Sequence, residues 1–320
     1  MVESEFRPPW YLRPAILQTV LNSSSMRNPR FTAVEAVEEE IIVDAGEGVR
    51  LQGFLSRRRS GDAKGIVIIL HGWEGSSRSA YVINTAEYLY ARGYDMFRLN
   101  YRDHGESHHL NEGLFLGTLL EENFAAVRYA AGLSERSFLV GFSLGGSFAV
   151  RIAARCAEKP VAGLRHIVAI NPPLDPMAST KAIDRNPLVR AYFVRKWKRS
   201  LRKKQELFPK LWDFREELKL GSCMEITEAL LRRNSDYADA ADYFAHYTLT
   251  SGYIDRAGLP LTILMSEDDP VVPSADFKAV RTNEYSRVLM QRYGGHCGYI
   301  NGPRLGSWYR PMLERWFGGE

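Results

Sequence analysis

Gly141-Phe142-Ser143-Leu144-Gly145 constrains the fold more than any other stretch of the chain. It follows the apolar run Ser137-Phe138-Leu139-Val140 and precedes Gly146 and the helix-like Ser147–Ala154. Strand before and helix after are the contexts that turn a G-x-S-x-G pattern into a nucleophile elbow, a sharp turn that lifts a serine hydroxyl above a sheet. The glycines have a physical reason: they lack the Cβ atoms that would collide in so tight a turn, and they tolerate backbone angles other residues avoid.

The rest of the chain supplies such a sheet. Ile66–Leu70 is continuously apolar and β-branched, as in a strand buried on both faces. Met96–Leu99, Phe138–Val140, Ile167–Ile170, Leu261–Met265 and Ser286–Met290 repeat the pattern. Helical spacing lies between them at Ala80–Ala91, Leu119–Ala131, Leu144–Ala157, Ser274–Arg281 and Pro303–Trp316. Glu39–Val43 and Val49–Leu55 flank Asp44-Ala45-Gly46-Glu47-Gly48, which predicts an antiparallel hairpin at the start. Such alternation predicts an α/β fold with a mostly parallel sheet. One gap breaks it: residues 172–258 contain helical and aromatic material and no strand-like run. Ordinary connections are about 2–6 residues, so this segment reads as an inserted helical cap, with residues 1–171 and 259–320 forming one core.

Apolar content of 45% and charged content of 25% suit a globular chain. Three widely spaced cysteines, Cys156, Cys223 and Cys297, form no metal or disulfide pattern and favour a reducing compartment. Met1–Phe6 is acidic without an apolar core, unlike a signal peptide. No run of 18 apolar residues predicts a membrane span. The expected location is cytoplasmic. The net charge of +4 is local: Arg185–Lys204 carries nine Lys/Arg and no Asp/Glu, leaving 33 basic against 38 acidic residues elsewhere. This distribution argues against nucleic acid as a partner.

A serine hydroxyl needs a positioned base, itself oriented by a third group. In sheets of this kind the order is serine, acid, histidine. Of seven histidines, only His166, His246 and His296 follow Ser143. His166 begins a strand and so lies at the wrong edge, and His246 is in the expected cap. His296, in Tyr293-Gly294-Gly295-His296-Cys297-Gly298 after the last strand, is the candidate base. Glu267, Asp268 and Asp269 end the preceding strand. The orienting acid of this fold precedes a proline by four residues, which selects Asp269 relative to Pro273, with Asp268 as the alternative. The oxyanion donors are expected to be the backbone N–H of Leu144 and that of Trp73, in the loop His71-Gly72-Trp73-Glu74-Gly75. His71 itself reads as a buried loop anchor. Asn100–His109 contains three histidines and two carboxylates, but adjacent residues rarely converge on one ion. It reads as a turn with solvated histidines, and no metal or cofactor is expected.

These residues resemble the α/β-hydrolase superfamily over nearly the whole chain, and within it the YheT-like group, related to eukaryotic hydrolase-domain lipases and ethanol acyltransferases. Pro14-Ala15-Ile16-Leu17-Gln18-Thr19 is similar to that group's N-terminal segment, and His71–Ser76 to its oxyanion loop. Asp242-Tyr243-Phe244 with Ser251 resembles its cap exit, and Asp268-Asp269-Pro270 and Gly295–Gly298 resemble its acid and histidine loops. Two segments depart: Arg13-Pro14-Ala15 stands where the group has Asn-Pro-His, and Asn100–Gly105 looks more like the loop of general hydrolases.

The resemblance implies a serine hydrolase of carboxylic esters, with short- to medium-chain or lipid-like acyl groups. An acyltransferase passing the acyl group to an alcohol or thiol is the alternative, and a non-catalytic binding protein the reading from another class. Leu188–Lys204 is amphipathic, with Leu188, Tyr192, Trp197 and Leu201 expected on one face and cations facing water. Such a helix covers the site, or lies on an anionic membrane.

Overall fold

In the computed structural model, which describes residues 5–27, 32–58, 62–249 and 252–318, the strand-like runs form one sheet. Its strands are β1 (Glu38–Asp44), β2 (Arg50–Ser56), β3 (Ile66–Leu70), β4 (Asp95–Asn100), β5 (Ser137–Phe142), β6 (Leu164–Ile170), β7 (Leu261–Ser266) and β8 (Ser286–Gln291). They lie in the order β1-β2-β4-β3-β5-β6-β7-β8. The first two junctions are antiparallel and the remaining five parallel. The expected hairpin is therefore present, with Glu38 opposite Ser56 and Asp44 opposite Arg50.

The helices are α1 (Ala15–Ser23), α2 (Ala33–Ala36), α3 (Ala80–Tyr90), α4 (Leu120–Ala131), α5 (Leu144–Glu158), α6 (Pro176–Arg185), α7 (Pro187–Leu207), α8 (Cys223–Asn234), α9 (Ala240–Ala245) and α10 (Arg310–Gly318). Strand periodicity divides the core between two faces. Ile66, Ile68 and Leu70 join Phe124 of α4 and Phe148 of α5. Val67 and Ile69 join Val82 of α3 and Leu313 of α10. That is why β3 is apolar at every position.

Two helical expectations are corrected. Ser274–Arg281 forms only a short 3-10 turn over Ser274–Ala279, after which Val280 is extended. β-Branched Val280 and Thr282 favour that extension over another helical turn. The helix expected over Pro303–Trp316 begins at Arg310. Before it, β9 (Ile300–Asn301) pairs antiparallel with β10 (Gly306–Ser307). Gly302 and Leu305, at φ 66° and 49°, make that turn and exclude a helix.

Between β6 and β7 the described residues contain α6–α9 and 3-10 turns, with no strand. Asn186 ends α6 and caps α7 by accepting from Leu188 and Val189 N–H, and Pro187 occupies the first helical position. Ser222 and Glu225 start α8 with a capping box. The expected apolar face of α7 is also corrected. Val194, Leu201 and Lys204 are buried, whereas Leu188 is 75% and Tyr192 43% exposed. At about 100° per residue, Trp197 and Leu201 lie on the opposite side of the helix from Leu188 and Tyr192.

No helix among the described residues is long and apolar enough to cross a membrane. Met1–Ser4 and Ser251, used above, lie outside the described residues.

Candidate active site

β5 ends at Phe142 and α5 begins at Leu144, so Ser143 alone makes the turn, at φ 53° and ψ −117°. This is a costly conformation for a residue with a Cβ. Ser143 N–H donates to the Ile170 carbonyl at 2.8 Å, which ties the turn to β6. The flanking glycines are needed for space, and neither has positive φ. A Cβ on Gly141 would sit 2.1 Å from the Gly145 carbonyl oxygen, and one on Gly145 would sit 2.4 Å from that of Leu70.

Asp269 follows β7 and His296 follows β8, both at the carboxyl edge where β5 delivers Ser143. His296 Nε2 lies 2.8 Å from Ser143 Oγ, and His296 Nδ1 lies 2.8 Å from Asp269 Oδ2. The Asp269 side chain is fully buried and that of His296 nearly so. Val271 and Val272 N–H donate to Asp269 Oδ1 at 2.7 and 3.0 Å. Asp268 has no hydrogen bond to the imidazole and accepts from Gly295 N–H at 2.8 Å. Between the two acids, the geometry brings Asp269 to the histidine and leaves Asp268 holding its loop.

Sequence reasoning missed Asn171. It is buried directly after β6 at φ 46°, and its Nδ2 lies 2.7 Å from Asp269 Oδ2, 3.1 Å from Ser266 Oγ and 3.2 Å from the Gly295 carbonyl. Tyr299 donates to its Oδ1 at 2.9 Å. An Asn-Pro pair ending a strand was the available signal, since asparagine tolerates left-handed backbone. The role of α1 was also missed. His296 N–H donates to Thr19 Oγ1 at 2.9 Å, while Gln18 donates to the Leu12 and Ile300 carbonyls and accepts from Ile300 N–H. The N-terminal Pro-x-x-Leu-Gln-Thr segment thus clamps the histidine loop.

A cavity of about 270 Å³ opens over Ser143, with Trp73 and Leu144 on its wall. Leu144 is the first residue of α5, so its N–H has no helical carbonyl to bond. Trp73 N–H has no acceptor among the described residues. Most of the remaining wall is apolar and drawn from both the sheet side and α6–α9, including Phe115, Ile183, Leu230 and Phe244. Trp73 stacks on Phe193 of α7 at 5.1 Å and meets Trp197 edge-on at 5.0 Å. His71 is the buried anchor expected of it, with Nδ1 2.7 Å from the Gly72 carbonyl and its basicity pushed well down by burial.

The loop Asn100–His109 is not the solvated turn expected. His104 and His108 are buried, and only His109 is exposed. The cause is α7, which lies across the loop. Lys204 Nζ donates to Asp103 Oδ1 at 2.8 Å and to the Asn111 and Gly113 carbonyls. Ser200 Oγ meets His108 Nε2 at 2.8 Å. Burial lowers the His104 pKa to about 4, so the ring is neutral. With Nδ1 donating to the Arg102 carbonyl, its Nε2 accepts from Glu74 N–H at 3.2 Å. Glu74 itself is half-buried on the cavity wall at φ 55°, and burial raises its pKa from 4.5 to about 8. Among the described residues, no group of three or more His, Cys, Asp and Glu side chains is arranged to hold a metal ion.

The family model described as "Alpha/beta hydrolase family" matches residues 67–304. An abhydrolase domain-containing protein of Dictyostelium discoideum is 24% identical over 315 residues, which cover 95% of this chain and 78% of that protein. A Synechocystis protein named as a candidate esterase is 25% identical over 336 residues, covering 93% of this chain and 88% of its own. Among solved structures, the Pyrococcus furiosus esterase Pf2001 shares the fold with a TM-score of 0.58 at 16% identity, covering 100% of this chain and 98% of that one. Because the family model spans most of its length, this chain belongs to the alpha/beta hydrolase family.

Proposed function

We propose that this hydrolase cleaves carboxylic esters through an acyl-enzyme on Ser143. The observation that carries the reading is the hydrogen-bonded line Ser143–His296–Asp269, with 2.8 Å at each link, beneath an apolar cavity. The line performs two proton transfers. Ser143 Oγ attacks the ester carbonyl carbon while His296 Nε2 takes the hydroxyl proton, and Asp269, still ionised, holds the Nδ1–H. The carbonyl oxygen becomes an oxyanion, for which the free N–H groups of Trp73 and Leu144 are the donors. His296 returns the proton to the leaving alcohol. Water, activated by the same imidazole, then adds to the acyl-enzyme, and the acid departs as Ser143 regains its proton. The esterase name of the Synechocystis relative supports the same class.

Residues 172–258 serve in this reading as an inserted cap, since α6–α9 supply much of the apolar wall. Such a wall favours a short- to medium-chain or lipid-like acyl group. A screen of p-nitrophenyl esters of graded acyl length, run beside Ser143→Ala, tests the reading. Hydrolysis that survives the substitution contradicts it. Product analysis in the presence of ethanol separates hydrolysis from acyl transfer, since a transferase yields the ethyl ester.

The outer side of α7 supports peripheral contact with an anionic membrane as part of the proposal. Leu188, Tyr192, Arg195, Arg199 and Arg202 of α7 are all exposed and recur every three or four residues, so cations and two apolar side chains share one side. Sedimentation with phosphatidylserine vesicles that is unaltered by exchanging these three arginines for Gln contradicts it.

A further inference from the structure

The ionisable side chains on the cavity wall are satisfied from within, with one exception. Asp103 takes Lys204 on one oxygen and Phe115 N–H on the other. Lys204 uses its three donors on Asp103 and two carbonyls. His104 bonds through both nitrogens. Even the small polar residues turn away: Ser179, Thr180, Thr227 and Ser235 each bond a carbonyl one turn back on their own helix. Glu74 is different. No described residue gives its carboxyl group a hydrogen bond or an ion pair, although Glu74 lines the same cavity as Ser143.

Glu74 is also held in place with unusual care. Its backbone takes a left-handed conformation that favours glycine. Its N–H is fixed by His104 and its carbonyl by Lys196 Nζ at 2.8 Å. The adjacent residue is Trp73, whose N–H is the proposed oxyanion donor. A residue whose backbone is pinned there, with its carboxyl group unpaired on the wall of an apolar cavity, is suited to recognise a polar group of the substrate.

We propose that Glu74 selects substrates by hydrogen-bonding a neutral hydroxyl carried on the ester, so that hydroxylated esters are preferred over their plain counterparts. This rests on the hydrolase reading above. The charge around the carboxyl favours a neutral partner. Burial and Asp103 raise its pKa against the opposing pull of Lys196, so the acid is largely protonated at neutral pH. A carboxylic acid both donates and accepts, as a hydroxyl does. An ammonium group would need the ionised form, which burial disfavours.

The test compares kcat/KM within matched pairs: glycerol 1-butyrate against propyl butyrate, and methyl 3-hydroxybutyrate against methyl butyrate. Wild type, Glu74→Gln and Glu74→Leu are measured, with Glu74→Met replacing the leucine variant if that fails to fold. In at least one pair the hydroxylated-over-plain ratio is expected to fall about tenfold in the apolar variant, the loss of one hydrogen bond to substrate. It is expected to stay within about threefold in Glu74→Gln, because the amide also donates and accepts. Unchanged ratios in both pairs, with Ser143-dependent hydrolysis intact, overturn this inference and leave the hydrolase reading standing. Absence of Ser143-dependent turnover of all these esters by folded protein overturns both. A preference for butyrylcholine over propyl butyrate that Glu74→Gln abolishes overturns the neutral hydroxyl in favour of a cation.

Discussion

Asn171 Nδ2 lies 2.7 Å from Asp269 Oδ2, the same oxygen that faces His296 Nδ1 at 2.8 Å. The amide can therefore fix the carboxylate on one side while the imidazole is fixed on the other. Asn171→Ala is expected to lower kcat on the order of tenfold with KM little changed, since hydrogen bonds to charged groups contribute about 1.5–3 kcal/mol. Steady-state kinetics on a p-nitrophenyl ester checks this. An unchanged kcat in a folded variant contradicts a positioning role for Asn171.

The elbow makes a steric prediction. Gly145→Ala puts a Cβ 2.4 Å from the Leu70 carbonyl oxygen and 2.6 Å from that of His71, both rigid backbone. Gly146→Ala meets Pro172 Cβ at 3.2 Å and the Gly141 carbonyl oxygen and Pro172 Cα at 3.3 Å, a crowding that a shift of a few tenths of an ångström relieves. The first is expected to abolish folding or serine reactivity, and the second to cost about 1–3 kcal/mol. Thermal melts of the two variants that coincide contradict this account of the glycines.

How far the sequence could be read depended on the range of the interactions. The eight strands of the main sheet were legible, the buried β3, β4, β5 and β7 from consecutive apolar residues, whereas the two-residue β9 and β10 were too short to leave a pattern. Ser143, Asp269 and His296 were legible because each ends or follows a strand at one edge of the sheet. Asn171, Thr19 and Glu74 were not, since their partners lie far away in the chain: Asn171 meets Asp269, Thr19 meets His296 and Glu74 meets His104. The histidines of the Asn100–His109 loop were misplaced for the same reason. Nothing local announces that Lys204 will pack onto Asp103. The α7 face was misjudged through phase, since Leu188 and Tyr192 are apolar residues on the outer side of the helix.

The Lys204–Asp103 pair joins α7 to the loop after β4, with the two side chains 1% and 8% exposed. Lys204→Met leaves a buried carboxylate without its cation and is expected to destabilise the fold by about 3–5 kcal/mol. Lys204→Met with Asp103→Asn should recover much of that loss. Urea unfolding of the single and double variants checks this, and equal losses in both contradict the pairing.

Glu74 predicts a pH dependence of stability. Its pKa rises from 4.5 to about 8 on folding, so the folded state holds the proton more tightly than the unfolded chain. Its contribution is favourable below about pH 4.5 and is lost as the pH rises through about 8. Lys196 opposes the shift and Asp103 adds to it. Glu74→Gln removes the titration. Its melting temperature relative to wild type is therefore expected to be higher at pH 8.5 than at pH 5, and a difference independent of pH contradicts the buried acid.

The most direct test of the central claim is the site and rate of modification by a fluorophosphonate, read by mass spectrometry of the intact and digested protein. One adduct on Ser143 is predicted, absent in Ser143→Ala and formed at least 10²-fold more slowly in His296→Ala, which removes the proposed general base. A folded protein whose Ser143 stays unmodified, or whose labelling rate ignores His296, contradicts the account.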